Sequence, residues 1–138
     1  KPLRRAIQLA LDQAKIPPSS IDYINGHASA TQKNDLNEAR SVAEVFGRSG
    51  STPPPISGSK AYTGHALGAA GAIEAVATLL AMHESHLIPT LHLEETDPDL
   101  PLLDYVPNTG REGIPIRHAL NHSFGFGGIN SCLLFGKV

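Results

Sequence analysis

The sequence predicts an α/β layered domain, and three observations predict it. Apolar residues recur at helical spacing in two separate stretches. Short β-prone runs lie between and after them. A third helical stretch is built almost wholly from small apolar residues, as a helix packed closely between layers requires. At 138 residues the chain is long enough for one domain with one core, so residues 1–138 read as a single unit.

Leu3, Ile7, Leu9, Ala10, Leu11 and Ala14 make residues 2–15 an amphipathic helix, which Pro17-Pro18-Ser19-Ser20 ends. Ile21–Asn25 is a short strand, followed at once by Gly26-His27. Asn34-Asp35 offers an N-cap for a second helix, with Leu36, Ala39, Val42, Ala43 and Phe46 as its buried stripe and Gly47 as its stop. Residues 48–55 are a loop stiffened by Pro53-Pro54-Pro55, and Ile56–Ser59 is a strand leading to Lys60. The small-residue stretch Gly64–Gly71 opens a third helix over about residues 68–83. Its faces carry Ala69, Ala70, Ile73, Val76, Ala77, Leu80 and Ala81, so a central, buried helix is expected. Residues 84–104 read as irregular. Tyr105-Val106, Ile116–Asn121 and Ile129–Phe135 read as strands, the last two flanking a hairpin-like turn at Gly125–Gly128. No internal repeat is visible.

Composition narrows the function classes. A net charge of -2 gives no sign of a nucleic-acid or anionic-membrane partner, and no apolar run reaches the length of a membrane span. The basic start, Lys1–Ala6, lacks the apolar core of a signal peptide. A single cysteine excludes an internal disulfide framework and fits a reducing compartment. Cys132 lies in a core-strand run and reads as a small hydrophobe, not a nucleophile. His83, His86 and His92 lack a carboxylate or cysteine partner arrangement, which disfavours zinc.

Three polar-glycine islands remain. Asn25-Gly26-His27-Ala28-Ser29-Ala30-Thr31 sets a histidine directly after a strand, at a sheet edge; taken alone, it reads as an ordinary loop histidine. Ser59-Lys60-Ala61-Tyr62-Thr63-Gly64-His65-Ala66-Leu67-Gly68-Ala69-Ala70-Gly71 sets Lys60 and His65 before an apolar helix, whose start suits a polar or anionic group. A buried Lys60 would need an acidic partner, and Glu38 or Asp35 on the second helix could supply it; a solvated Lys60 is the alternative. In Asn121-His122-Ser123-Phe124-Gly125-Phe126-Gly127-Gly128, glycines leave backbone N–H groups accessible to an oxyanion or phosphate. The island lacks the Lys-Ser/Thr ending of a nucleotide P-loop and is equally a tight hairpin.

Taken together, in this order and spacing, the islands resemble those of β-ketoacyl-acyl-carrier-protein synthases, elongating condensing enzymes of the thiolase superfamily. The resemblance covers nearly the whole chain. Lys60–Glu74 and Ser123–Gly128 carry it most specifically. It implies the carboxyl-terminal half of a five-layered α-β-α-β-α fold: a mixed sheet with helices on both faces, one of which packs on the other half.

The implied activity is acyl transfer by decarboxylative Claisen condensation of an acyl thioester with a malonyl-acyl-carrier protein. His27 and His65 are then the catalytic histidines that stabilise enolate charge on the malonyl carbonyl. Lys60 is the lysine orienting the second histidine, Glu38 its acidic partner with Asp35 nearby, and Phe124 the gating phenylalanine whose N–H joins an oxyanion hole. Ser29, Thr31 and Gly125 meet the substrate or its pantetheine arm. Asn25, Glu74 and Ser123 match positions around a structural monovalent cation, Na+ or K+; no other cofactor is implied. Implied partners are the acyl-carrier protein, a cysteine-bearing amino-terminal half or companion chain, and a second copy of the complete enzyme in a homodimer. The implied setting is the cytoplasm, or a plastid or mitochondrion in a eukaryote.

Two departures stand out. The usual His-Gly-Thr-x-Thr is here His27-Ala28-Ser29-Ala30-Thr31, and His122 stands where Asn is often found. A non-catalytic relative like a chain-length factor, an inactive fragment and a stand-alone binding module are the competing readings. An intact His27, Lys60 and His65 favours the enzyme.

Overall fold

The computed structural model describes residues 2–138. Its first helix, α1 (Pro2–Ala14), buries Leu3, Ile7 and Leu11, one residue per turn on a single face. Strand β1 (Tyr23–Asn25) follows, then α2 (Gln32–Arg48). Helix α2 begins earlier than Asn34-Asp35: Thr31 is its N-cap residue, without a side-chain bond to the helix's own backbone, and Asp35 lies in the first turn, where the helix dipole favours an acid. Strand β2 (Ile56–Ser57) is shorter than expected because Ser59 already stands at the N-cap position of the one-turn helix α3 (Lys60–Thr63). Gly64, at φ 71°, ends that turn, and a 3-10 turn over Leu67–Ala69 leads into α4 (Ala70–Glu84).

A small second sheet pairs β3 (His86–Leu87), within the 84–104 stretch that reads as irregular in sequence, antiparallel to β4 (Arg111–Glu112), which lies beyond it. The expected strand at Tyr105-Val106 is absent; Val106 is left-handed at φ 48°, and only a bridge from Thr90 to Pro107 forms there. Strands β5 (His118–Phe124) and β6 (Asn130–Gly136) complete the chain.

The main sheet runs β2-β1-β5-β6. Strands β1, β2 and β5 are mutually parallel, and β6 returns antiparallel to β5, with His122 opposite Cys132. One sheet face carries Ile24, Ile56 and Leu120 against Leu3, Ile7 and Leu11 of α1 and Val42, Val45 and Phe46 of α2. The opposite face carries Tyr23 and Ala119 against Ala81 and Met82 of α4, with Leu87, Val106 and Ile116. The chain is thus an α-β-α sandwich around a mixed sheet, with a core on each face.

Helix α4 differs from its expected central burial. Ala70, Glu74, Thr78, Ala81 and Met82 face the sheet, whereas Ile73, Val76, Leu79 and Leu80 face outward. The small residues permit close approach, but only one stripe is covered within this chain. Among the described residues no helix is long and apolar enough to cross a membrane.

Candidate active site

Parallel pairing explains why the three islands meet. Strands β1, β2 and β5 point the same way, so their carboxyl ends share one edge of the sheet, where open α/β sheets hold ligands. The first island leaves β1 at Asn25, the second follows β2 through Ser59, and the third spans the carboxyl half of β5 and the turn after Phe124. Residues almost a hundred positions apart therefore converge on one cleft of about 600 Å³, lined by His27, Ser29, Thr31, His65, Phe124 and Gly125, with Phe126 at its mouth. The His27 and His65 rings lie 5.4 Å apart, nearly perpendicular, and Phe124 lies 5.2 Å from His27.

Both histidines have Nδ1 occupied by a donor. Lys60 Nζ lies 3.3 Å from His27 Nδ1, and the Leu67 N–H donates to His65 Nδ1 at 3.2 Å. A neutral imidazole that accepts at Nδ1 carries its proton on Nε2. The cleft thus has two rings whose remaining nitrogens are N–H donors. Burial, then the positive charge of Lys60, lowers the His27 pKa from 6.5 to about 4, so this ring is neutral at neutral pH.

Lys60 is buried rather than solvated, but its acidic partner is neither Glu38 nor Asp35. It forms an ion pair with Glu74 of α4 and also donates to the His27 carbonyl. Lys60 therefore touches the first histidine directly, whereas the family resemblance has it orienting the second. Burial raises the Glu74 pKa, and Lys60 opposes that rise.

Glu38 has a different task. Its Oε1 accepts the His27 N–H at 2.8 Å and the His122 ring at 2.9 Å, and its Oε2 accepts the Ala28 N–H at 2.9 Å. Burial works against its charge, yet the bonds and charge of His122 and the two backbone N–H groups outweigh burial and hold its pKa below the ordinary value. Asp35 lies apart: its carboxylate accepts from Asn34 at 3.0 Å and lines a separate small cavity. Ser29 and Thr31 share a hydrogen bond at 3.0 Å on the cleft wall.

The cation positions fit in part. Among the described residues two buried oxygens, Glu74 Oε2 and Asn121 Oδ1, have no hydrogen-bond partner, and oxygen donors suit a hard monovalent ion. Ser123 Oγ of β5 adjoins Gly71 of α4, the helix that carries Glu74, close enough that a Cβ at Gly71 would sit 2.8 Å from it. Asn25 does not fit: its Oδ1 takes the Ser59 hydroxyl, and its Nδ2 donates to the Glu74 carbonyl and to Thr78.

Sequence reasoning missed Asn121, Phe126 and His122 as site residues. For His122 a signal existed. It lies two residues from Leu120, on the same strand face, which otherwise feeds the core, so a polar side chain there needs a buried partner.

The family model for the β-ketoacyl synthase C-terminal domain matches residues 1–94. A 3-oxoacyl-[acyl-carrier-protein] synthase 2 of Staphylococcus aureus (strain COL) is 40% identical over 133 residues, which are 96% of this chain and 31% of that protein. Among solved structures, the ishigamide ketosynthase/chain length factor aligns with a TM-score of 0.91 at 38% identity, over 99% of this chain and 32% of that one. A type II ketosynthase in complex with its acyl-carrier protein, and bound to a hexaketide, aligns with a TM-score of 0.91 at 43% identity, over 99% and 33%. The chain spans about a third of the length of the relatives it matches.

Proposed function

The chain belongs to the β-ketoacyl synthase C-terminal domain family, and from that premise we propose that it supplies the decarboxylation and condensation site of a β-ketoacyl-acyl-carrier-protein synthase. The observation that carries the proposal is the pair of imidazoles in one cleft, each with Nδ1 occupied and Nε2 left to donate.

The proposed substrate is a malonyl thioester on an acyl-carrier protein, with its carbonyl oxygen between the two N–H donors. As the C–C bond to the carboxylate breaks, CO2 leaves and the electron pair moves onto that oxygen as an enolate. Two fixed donors stabilise that charge more than the ground-state carbonyl, which is the condition for faster chemistry. The enolate carbon then attacks an acyl thioester on a cysteine; a C–C bond forms, the C–S bond breaks, and the thiolate is regenerated. Cys132 is not that cysteine in this proposal, because it sits within the β5–β6 ladder opposite His122, not on the cleft wall. The nucleophile comes from the remaining polypeptide or a companion chain. The proposed assembly is a homodimer of the complete enzyme. Phe124 and Gly125 close one wall, and Ser29 and Thr31 offer hydroxyls to the carrier's arm. A Na+ or K+ held by Glu74, Asn121 and Ser123 would supply structural charge balance beneath the site.

Intact-mass measurement of the complete polypeptide after incubation with an acyl-carrier thioester tests the division of labour. The acyl mass should map to a cysteine outside this chain. Acylation of Cys132 would overturn it.

A further inference from the structure

His122 on β5 is fully buried, and its Nδ1 lies 2.9 Å from Glu38 Oε1. A carboxylate oxygen only accepts, so the ring donates Nδ1–H whatever its charge. Glu38 in turn accepts the N–H groups of His27 and Ala28. These two residues open a turn with unfavourable backbone: Ala28 has φ 40° and Ala30 has φ 57°, in the left-handed region that residues with a Cβ avoid. Nothing in the identity of Ala28 or Ala30 prefers that shape, so it must be held from outside. The chain of contacts runs His122 to Glu38 to the His27 and Ala28 backbone, and ends at the imidazole on the cleft. The titratable groups facing His122 are Glu38 of α2, Cys132 of β6 and, farther off, His27. Among the described residues the ring's other nitrogen, Nε2, has no hydrogen-bond partner; Glu38 is the carboxylate the ring bonds, with the Cys132 thiol beside it across the ladder.

We propose that His122 is a positioning residue: it orients the Glu38 carboxylate, which fixes the strained turn that aims His27. The proposal rests on the reading of His27 as a donor to the thioester carbonyl.

Two near-isosteric variants separate positioning from packing. His122→Asn keeps a donor, Nδ2, where Nδ1 stands, whereas His122→Leu puts a methyl group there. In the complete polypeptide, His122→Leu should lower kcat for malonyl decarboxylation about tenfold or more with KM within about twofold, because the misplaced group acts on the transition state. His122→Asn should recover most of the rate. The His27 ring resonances should shift in the Leu variant and return in the Asn variant. His27→Ala, measured alongside, isolates the underlying reading: a retained rate there sinks the proposed function itself. If His27→Ala abolishes the rate while His122→Leu keeps kcat within about twofold and leaves the His27 resonances in place, the positioning role alone is overturned. Should His122→Leu not fold, His122→Ser, too short to reach Glu38, carries the same comparison. Failure of both variants to fold would assign His122 to stability and overturn the proposal.

Discussion

At the scale of the residue, the site is a set of buried charges that satisfy one another. Lys60 would be costly to bury alone; Glu74, His27 Nδ1 and the His27 carbonyl together surround its ammonium group. Lys60→Ala leaves Glu74 as an unpaired buried carboxylate. Loss of one partner of such a pair costs about 3–5 kcal/mol, so thermal unfolding of the complete protein should shift down markedly and decarboxylation should fall with it. A wild-type unfolding temperature and rate would show that Lys60 is merely solvated.

The neutral state of His27 makes a second prediction. A histidine whose pKa is depressed by folding stabilises the fold fully above its ordinary value, and that contribution is lost as pH falls through the folded value. For His27 the window runs from 6.5 down to about 4. NMR titration should place the ring's midpoint near the lower figure; a midpoint at or above the ordinary value contradicts the site's electrostatics. His27, His65 and Lys60 were legible as residues because their motifs are local. The Lys60–Glu74 pair was not. It depends on how a one-turn helix and a 3-10 turn set the start of α4, which no spacing rule in the sequence encodes.

At the scale of elements, parallel strands do the assembling. The sequence makes helices α1 and α2 and strands β5 and β6 readable to within a few residues, since their periodicity is strong. Strand β1 is equally readable, but its pairing with both β2 and β5 is not, because strand order is a tertiary property. The Tyr105-Val106 strand failed for a local reason: Val106, a β-prone residue, adopts a left-handed conformation and is buried in a loop.

One close contact between elements is testable. The Ala28 methyl occupies the space beside Gly58, where an added Cβ would sit 2.6 Å from it. Gly58→Ala should destabilise the protein by about 1–3 kcal/mol, as overpacking does, and impair decarboxylation by displacing the His27 turn. Adding Ala28→Gly should restore both, because one methyl then replaces the other. A Gly58→Ala variant of full stability and activity would show that the two loops are not packed together.

At the scale of the molecule, the outward face of α4 is the feature a freestanding domain would lack. Val76 is 59% exposed and Leu80 57%, with Ile73 and Leu79 beside them on the same helix. The proposed assembly sets that stripe against the other two-thirds of the protein. The chain expressed alone should therefore self-associate, and Val76→Lys with Leu80→Lys should reduce that self-association, measured by light scattering. The same pair of changes in the complete polypeptide should weaken its assembly. A monomeric, dispersed chain with an unaltered α4 would instead support a stand-alone module.

The most direct test of the central claim is CO2 release from a malonyl-acyl-carrier thioester by the complete polypeptide and by its His27→Ala and His65→Ala variants. Each substitution removes one preorganised donor and should cost about a hundredfold or more, as loss of an oxyanion donor does in other enzymes. Near-normal release from either variant would contradict the claim that this chain's two imidazoles carry the decarboxylation.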